Sequence, residues 1–546
     1  MAPRTRSALF SITLFLATCA VAGSFISEKV AAQSSSDEST LRDSLHEFTD
    51  VYSLVEANYA EPLTQDSTDK AIYDGAIPGM LHVLDPHSNF YDPKAFAQMR
   101  EDQHGKYYGV GMSIQPQPDK DGVMHIVVLA PFEGTPAFKA GIRPGDVIKS
   151  VDGKPADGLD SAAVAGLLKG PKGTHVAVVM DREGHDGPLT FDLVRDEIPR
   201  YSVDIAFELK PGIGYIHVTN FMETTSREVG DALDKFHAAD GDLHGLIIDL
   251  RANPGGLLNE AVNMSDKFLQ KGQIVVSQRG RAFPDQVYRA SRGEEGSARY
   301  PIVVLVNRNT ASAAEIVSGA LQDHDRALIV GETTFGKGLV QTVFQISEDT
   351  GLALTTYHYY TPSGRLIQRN YDNVSLYDYY YVRDDAKKAD KSNLEVKLTD
   401  SGRTVYGGGG ITPDEKIDVP DLNRFQASLF QHYVFVPAGV GGFTKSYIAT
   451  HTVAKDFVVD DAVLKQFKEY LKAHQVDATD ADIAGVLDWV KCNIKAELFT
   501  SQFGQLEGLK VRYQADPEIT KAITFMPEAM ALVDRDKTDQ KTASLK

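Results

Sequence analysis

Leu41, Leu45, Phe48, Tyr52, Val55 and Tyr59 recur at alternating steps of four and three, the stripe of an amphipathic helix. Such a stripe suits burial on its own domain, the commoner use, and equally suits a second subunit. A homo-oligomer joined through this helix is therefore carried alongside intrachain packing. The polar, Ser-rich stretch Gln33–Thr40 before it reads as a flexible spacer. Helical pattern continues to about Asp85 and ends at the turn Asp85-Pro86-His87-Ser88. From about Tyr107 to Val194 the pattern changes to short strands punctuated by Gly and Pro. After Asp196, strands and helices alternate. Leu246–Leu250, Ile302–Val306 and Ala327–Val330 read as apolar strands. Leu257, Ala261, Met264 and Phe268 mark one helix face, and Ser312–Gln322 another helix. From about Phe425 the chain is mostly helical and charged, with no visible chemistry; Trp489 and Cys492 read there as packing residues. The predicted fold class is multidomain α/β: a helical N-terminal arm, a β-rich module, an α/β core and a helical C-terminal region.

The first residues have a different texture. Arg4 and Arg6 precede the uncharged apolar run Ala8–Ala22, and Val30-Ala31-Ala32 offers a small-residue cleavage site. This is the layout of an export signal. The run is short for a stable transmembrane helix, which needs about 20 residues. Leu16-Ala17-Thr18-Cys19 also approximates a lipoprotein cleavage box, so cleavage and membrane anchorage both stay open. Export places the protein in the periplasm or cell envelope. If Cys19 is removed or lipidated, Cys492 is left alone and no internal disulfide can form.

Composition narrows the classes. At about 150 residues per domain, 546 residues make three to four domains. Lys and Arg total 56 against 75 Asp and Glu, a net charge of −19. That surface repels phosphate backbones, so nucleic acid is excluded as a partner.

Within the β-rich stretch, Ala140-Gly141-Ile142-Arg143-Pro144-Gly145-Asp146-Val147-Ile148-Lys149-Ser150-Val151-Asp152-Gly153 runs from apolar strand positions into an Asp-Gly hairpin signal. This block resembles a PDZ domain. The loop Gly109-Val110-Gly111-Met112 then resembles the carboxylate-binding loop of that fold, whose N–H groups hold a peptide's C-terminal carboxylate while the peptide adds a strand to the sheet edge.

Three familiar signatures fail. Neither His-Glu-x-x-His nor Gly-x-Ser-x-Gly occurs. Gly331-Glu332-Thr333-Thr334-Phe335-Gly336-Lys337 spells seven positions of a phosphate-binding loop. Its eighth, Gly338, lacks the hydroxyl that holds Mg²⁺, and a strand pattern rather than a helix follows at Leu339–Ile346. Lys337 instead lies between glycines in apolar surroundings. Burial there lowers the pKa of an ammonium and makes the neutral amine available as a general base. Ser312 sits where the strand Ile302–Val306 turns into a helix, so the unpaired N–H of Ala313 and its neighbours can stabilise an oxyanion. Asp249-Leu250-Arg251-Ala252-Asn253-Pro254-Gly255-Gly256 is another strand-to-helix turn, and Gly255 or Gly256 can supply a second donor.

In this order these stretches resemble the carboxyl-terminal processing proteases, or tail-specific proteases. Thr310-Ala311-Ser312-Ala313-Ala314-Glu315, Gly338-Leu339-Val340-Gln341, Tyr359-Tyr360-Thr361-Pro362-Ser363-Gly364-Arg365 and Gly410-Ile411-Thr412-Pro413-Asp414 complete the set. The resemblance spans roughly Leu41–Val419 and implies a serine endopeptidase. Ser312 would be its nucleophile, Lys337 its general base, and Gln341 the residue that orients the base. The oxyanion donors would be Ala313 and one of Gly255 and Gly256. It implies no metal and no organic cofactor. The PDZ-like domain would deliver protein or peptide substrates with unstructured, apolar C-termini. Two departures stand out: Ala314, where the family often has Ser, and the Tyr- and charge-rich segment Tyr371–Tyr406, which looks like an insertion. The expected domains are an export signal or anchor at 1–33, a helical region at 34–105, PDZ at 106–197, a protease core at 198–424 and a helical region at 425–546. The rival readings are a PDZ scaffold with an inactive α/β domain and a periplasmic lipid- or retinoid-binding protein.

Overall fold

The computed structural model describes residues 37–118, 123–240, 243–293, 300–382, 395–418, 421–436 and 442–534. The expected export segment at 1–33, with Cys19, lies outside them. The chain divides into two compact units, 1–79 and 80–546. In the first, the helix Asp37–Asn58 starts inside the stretch expected to be a flexible spacer. Its stripe is not buried within its own unit: Leu41, Leu45, Phe48, Val55 and Tyr59 are all exposed. Among the described residues, no helix is long and apolar enough to cross a membrane.

In the second unit, the β-rich module is a sheet in the order Met112–Pro118, Met124–Pro131, Val147–Val151, His175–Asp181, Leu189–Val194. The Asp-Gly signal is a true tight turn. Asp152 and Gly153 both have positive φ, at 48° and 75°, and join Val147–Val151 to Lys154–Pro155. Among the described residues, Met112–Pro118 pairs on one side only. It is an edge strand, with the helix Ser161–Leu168 packed beside it.

The α/β core is a six-stranded sheet in the order Val203–Lys210, Ile213–Val218, Gly245–Asp249, Ile302–Val306, Leu328–Gly331, Glu415–Lys416. The first pair is antiparallel and the rest are parallel. Parallel strands covered on both faces need unbroken apolar runs, and every residue of Ile302–Val306 is buried. One face packs on the helices Thr225–Asp240, Leu258–Phe268 and Ala313–Asp323. The other face, with Ile205, Ile247, Val303 and Leu305, packs on Ile519, Ala522, Ala529 and Leu532. The C-terminal region, where the sequence shows no chemistry, therefore supplies the second cover of the core sheet. Trp489 packs edge-on against Phe430 and Phe435, at ring distances of 5.8 and 5.9 Å, and Cys492 is partly buried. A second sheet is built on the long strand Gly351–Tyr360, which pairs with Leu339–Gln345 along most of its length.

Candidate active site

Three strand-to-helix or strand-to-strand turns meet at the C-terminal end of the core strands. The first follows Gly245–Asp249. Its Asn253 is fully buried and acts as a junction: Nδ2 donates to the Val218 carbonyl, Oδ1 accepts the Gly255 N–H, both at 2.8 Å, and its carbonyl accepts the Ala311 N–H at 2.9 Å. Gly255 has φ +94°, and a Cβ there would lie 2.7 Å from Ser312 Cβ and 2.8 Å from the Ala313 nitrogen. Only glycine allows this approach. The second turn follows Ile302–Val306. Buried Thr310 donates its hydroxyl to the Leu250 carbonyl at 2.8 Å, tying the first turn to the second. Ser312 opens the helix Ala313–Asp323 with φ +54° and ψ −116°, a conformation that is strained for a residue with a side chain. Tyr359 Oη donates to its carbonyl at 3.2 Å.

The third turn carries Lys337. As the sequence predicts, no helix follows it, and the chain enters the strand Leu339–Gln345. The link between the second and third turns is Glu315. This carboxylate, in the first turn of the helix, is fully buried. It accepts the Ser312 N–H at 2.8 Å, the Gly336 N–H at 2.7 Å, the Lys337 N–H at 2.9 Å and the Thr334 hydroxyl at 2.5 Å. Burial raises its pKa, against the pull of these four donors. Glu315 carries no role in the sequence reading, although Ser-x-x-Glu ahead of an apolar helix is the spacing that signals it.

Burial also lowers the pKa of Lys337, and the nearby carboxylates Glu315 and Asp85 only partly offset it. Its Nζ makes no hydrogen bond or ion pair with a described residue. Gln341, expected to orient it, donates instead to Thr355 Oγ1 at 3.0 Å. Thr355 in turn donates its N–H to Ser88 Oγ at 3.1 Å, and Ser88 donates to Asp85 Oδ2 at 2.6 Å. The Asp85-Pro86-His87-Ser88 turn is thus wired to the Gln341 strand. Of the expected oxyanion donors, the Gly255 N–H is taken by Asn253. Those of Gly256 and Ala313 reach no acceptor among the described residues.

A cavity of about 630 Å³ adjoins the site, between Leu257, next to Gly256, and Val340, next to Gln341; its wall mixes apolar and aromatic side chains such as Phe283 and Tyr357 with polar and acidic ones such as Gln278, Glu223 and Glu260. In the β-rich module, Gly111 has φ +77°, and a Cβ there would fall 2.4 Å from that of Thr135, whose hydroxyl donates to the Gly111 carbonyl at 2.8 Å. Gly109 ends the short strand Lys106–Gly109, Val110 is buried and accepts the Ala137 N–H at 2.9 Å, and Met112 begins the edge strand. The arrangement offers a hydroxyl, a basic amine and two free amide donors at one end of the core, and a one-sided strand beyond a glycine loop in the module.

Parts of the chain match known protein families. Residues 212–374 match peptidase family S41 and residues 127–182 match the PDZ domain. The chain is 38% identical over 354 residues to the carboxy-terminal-processing protease of Bartonella bacilliformis, covering 64% of this chain and 79% of the relative. It is 35% identical over 364 residues to the carboxy-terminal processing protease CtpA of Bacillus subtilis, covering 66% and 75%. Among solved structures, the photosystem II D1 C-terminal processing protease shares 31% identity at a TM-score of 0.35, covering 69% of this chain and 87% of that one.

Proposed function

Since the chain belongs to peptidase family S41 and is a serine-type peptidase, we propose that it is an exported endopeptidase that cleaves protein substrates near their C-termini. Ser312 is the nucleophile and Lys337 the general base. The observation that carries this reading is the Glu315 carboxylate, which fixes the backbones of both residues to one helix turn. Neutral Lys337 takes the Ser312 proton, and the alkoxide attacks the scissile carbonyl. The Ala313 and Gly256 amides hold the oxyanion; Gly256 is preferred to Gly255 because the latter's N–H is already spent on Asn253. The leaving amine takes the proton from Lys337, and water, activated by the same amine, resolves the acyl-enzyme. The mechanism draws on no metal or organic cofactor. Gln341 is near enough in sequence to turn its amide oxygen toward Lys337 once substrate is bound, since catalytic hydrogen bonds often tighten only then.

The PDZ domain supplies the substrate. The tail adds as a strand to Met112–Pro118 with its carboxylate at the Gly109–Met112 loop, between Ile114 and Leu167, which are partly buried against the domain core. The cavity beside Leu257 and Val340 receives a substrate side chain. Residues 1–33 direct export to the periplasm or envelope as signal or anchor, and the exposed stripe of Asp37–Asn58 joins subunits. The domain limits stay at 34–105, 106–197, 198–424 and 425–546.

Ser312→Ala and Lys337→Ala should each abolish cleavage of a substrate with an apolar tail, and a phosphonylating probe should label Ser312 in the parent. Retained turnover in Ser312→Ala would sink the mechanism. Amidating the substrate's C-terminus should raise KM. The mature N-terminus, read by mass spectrometry, decides between cleavage and anchorage. Polar residues at Leu45 and Phe48 should lower the hydrodynamic mass.

A further inference from the structure

The described first part of the segment that looked like an insertion, residues 371–382, packs on the Asp85-Pro86-His87-Ser88 turn. Its helix Leu376–Tyr381 brings two tyrosines to opposite nitrogens of one imidazole. Tyr379 Oη lies 3.0 Å from His87 Nε2, and Tyr380 Oη lies 3.3 Å from Nδ1. The directions of these bonds follow from their other partners. Tyr380 donates its only proton to the Pro86 carbonyl at 2.7 Å, so it can only accept from His87, and Nδ1 carries the hydrogen. In the neutral ring Nε2 is then bare and accepts the Tyr379 hydroxyl.

The same tyrosine is tied to the lysine turn. Gln368 Oε1 accepts the Gly338 N–H at 2.8 Å, and its Nε2 donates to Tyr379 Oη at 3.1 Å. Arg369 donates to the Tyr379 carbonyl and takes its place over the Phe335 and Tyr379 rings, at 4.6 and 4.5 Å. Phe335, two residues before Lys337, meets Tyr379 edge-on at 5.6 Å and stacks on Tyr380 at 6.2 Å. His87, Phe335, Tyr379 and Tyr380 therefore form one aromatic wall beside the amine. Tyr379 is buried and Tyr380 is 40% exposed.

We propose that His87 is a positioning residue for catalysis: by bridging Tyr379 and Tyr380 it holds the helix Leu376–Tyr381 closed against the Lys337 turn and keeps water from the amine. This rests on Lys337 as the general base. A neutral imidazole is the group the position needs, because an imidazolium would place a second cation beside Lys337. Burial, Lys337 and Arg369 hold the His87 pKa down at about 3, against the pull of Asp85. The ring thus stays neutral over the whole working range. Among the described residues, the charged and titratable groups around this wall are Glu315, Asp85, Arg369, Tyr371, Tyr379, Tyr380 and Tyr381. With the wall opened, hydration of the ammonium returns and the Lys337 pKa rises.

The test titrates the lysine without catalysis. In full-length Ser312→Ala protein, acetic anhydride labelling of the Lys337 peptide is followed by mass spectrometry from pH 5 to 11. His87→Gln and Tyr379→Phe are added to that background. Each should raise the Lys337 pKa by about one unit or more. In the Ser312-containing protein, the acid limb of kcat/KM should move upward by the same amount, with activity regained at high pH. Tyr380→Phe, at a half-exposed ring, should shift both in the same direction by less, and serves if another variant fails to fold. An unchanged Lys337 titration in folded variants overturns the proposal. A shifted titration with an unmoved activity limb instead overturns Lys337 as the base and leaves the wall standing.

Discussion

The Lys337 N–H donates to Glu315 at 2.9 Å, on the same carboxylate oxygen that accepts the Ser312 N–H at 2.8 Å. Two turns far apart in sequence are thereby held in register by one buried charge. Glu315→Gln replaces one of the two oxygens with an NH₂ facing N–H or O–H donors. Leaving such groups unsatisfied costs about 1–3 kcal/mol. The variant should lose that much stability in urea unfolding. Its kcat/KM should fall at least tenfold, measured where the protein is still fully folded.

Lys337 itself should cost stability. Its folded pKa lies below the ordinary 10.5 because of burial. Between the two values the unfolded chain binds more protons, so the folded state gains stability as pH rises through that window. Lys337→Met removes the titration. It should be more stable than the parent at pH 7, and the difference should shrink as pH approaches 10.5. Paired urea titrations at pH 7 and pH 10 check both the sign and the closing gap.

What the sequence disclosed follows from how local each feature is. Ser312 and Lys337 stand at turns whose flanking strands and helices have their own periodicity, and Asp152-Gly153 sets a tight turn within two residues. Three of the parallel core strands were legible as short, mostly apolar runs, whereas Ile213–Val218 and Glu415–Lys416 were not. The Glu315 junction was missed because its partners, Gly336 and Lys337, are brought to it only by the sheet. His87 was visible only as part of a motif, since Tyr379 and Tyr380 reach it across nearly 300 residues of chain. The expected spacer gives way to helix from Asp37, the part of it that is described, for a simpler reason. Ser and acidic residues suit a loop and the first turn of a helix alike, and at Asp37 the helix won.

Gly255 should admit no side chain. Its φ of +94° disfavours any L residue, and the new Cβ would press on Ser312 and on the Ala313 nitrogen. Gly255→Ala should lower kcat/KM by at least about a hundredfold, the usual cost of disturbing one oxyanion donor. Phosphonylation of Ser312 should slow in parallel. A variant with normal labelling would show that the turn yields without moving the nucleophile.

The C-terminal helices should be inseparable from the core. Arg251, two residues after the end of a core strand, pairs with Asp249 at 2.6 Å, with Asp516 at 3.1 Å and with Glu518. Burial disfavours the Asp249 carboxylate, but Arg251 outweighs it and holds the pKa below the usual range. Asp516→Asn with Glu518→Gln leaves Asp249 as the sole anionic partner, among the described residues, of a largely buried guanidinium. Because Asn and Gln keep an acceptor oxygen, weakening the network this way should cost about 1–3 kcal/mol in urea unfolding. Removing residues 505–546 goes further, because it bares the sheet face of Ile205, Ile247, Val303 and Leu305. An apolar patch of that kind drives association. The truncated chain should aggregate on expression, whereas the double variant should remain soluble with a lower urea midpoint. A soluble, active truncation would show that this face is covered some other way.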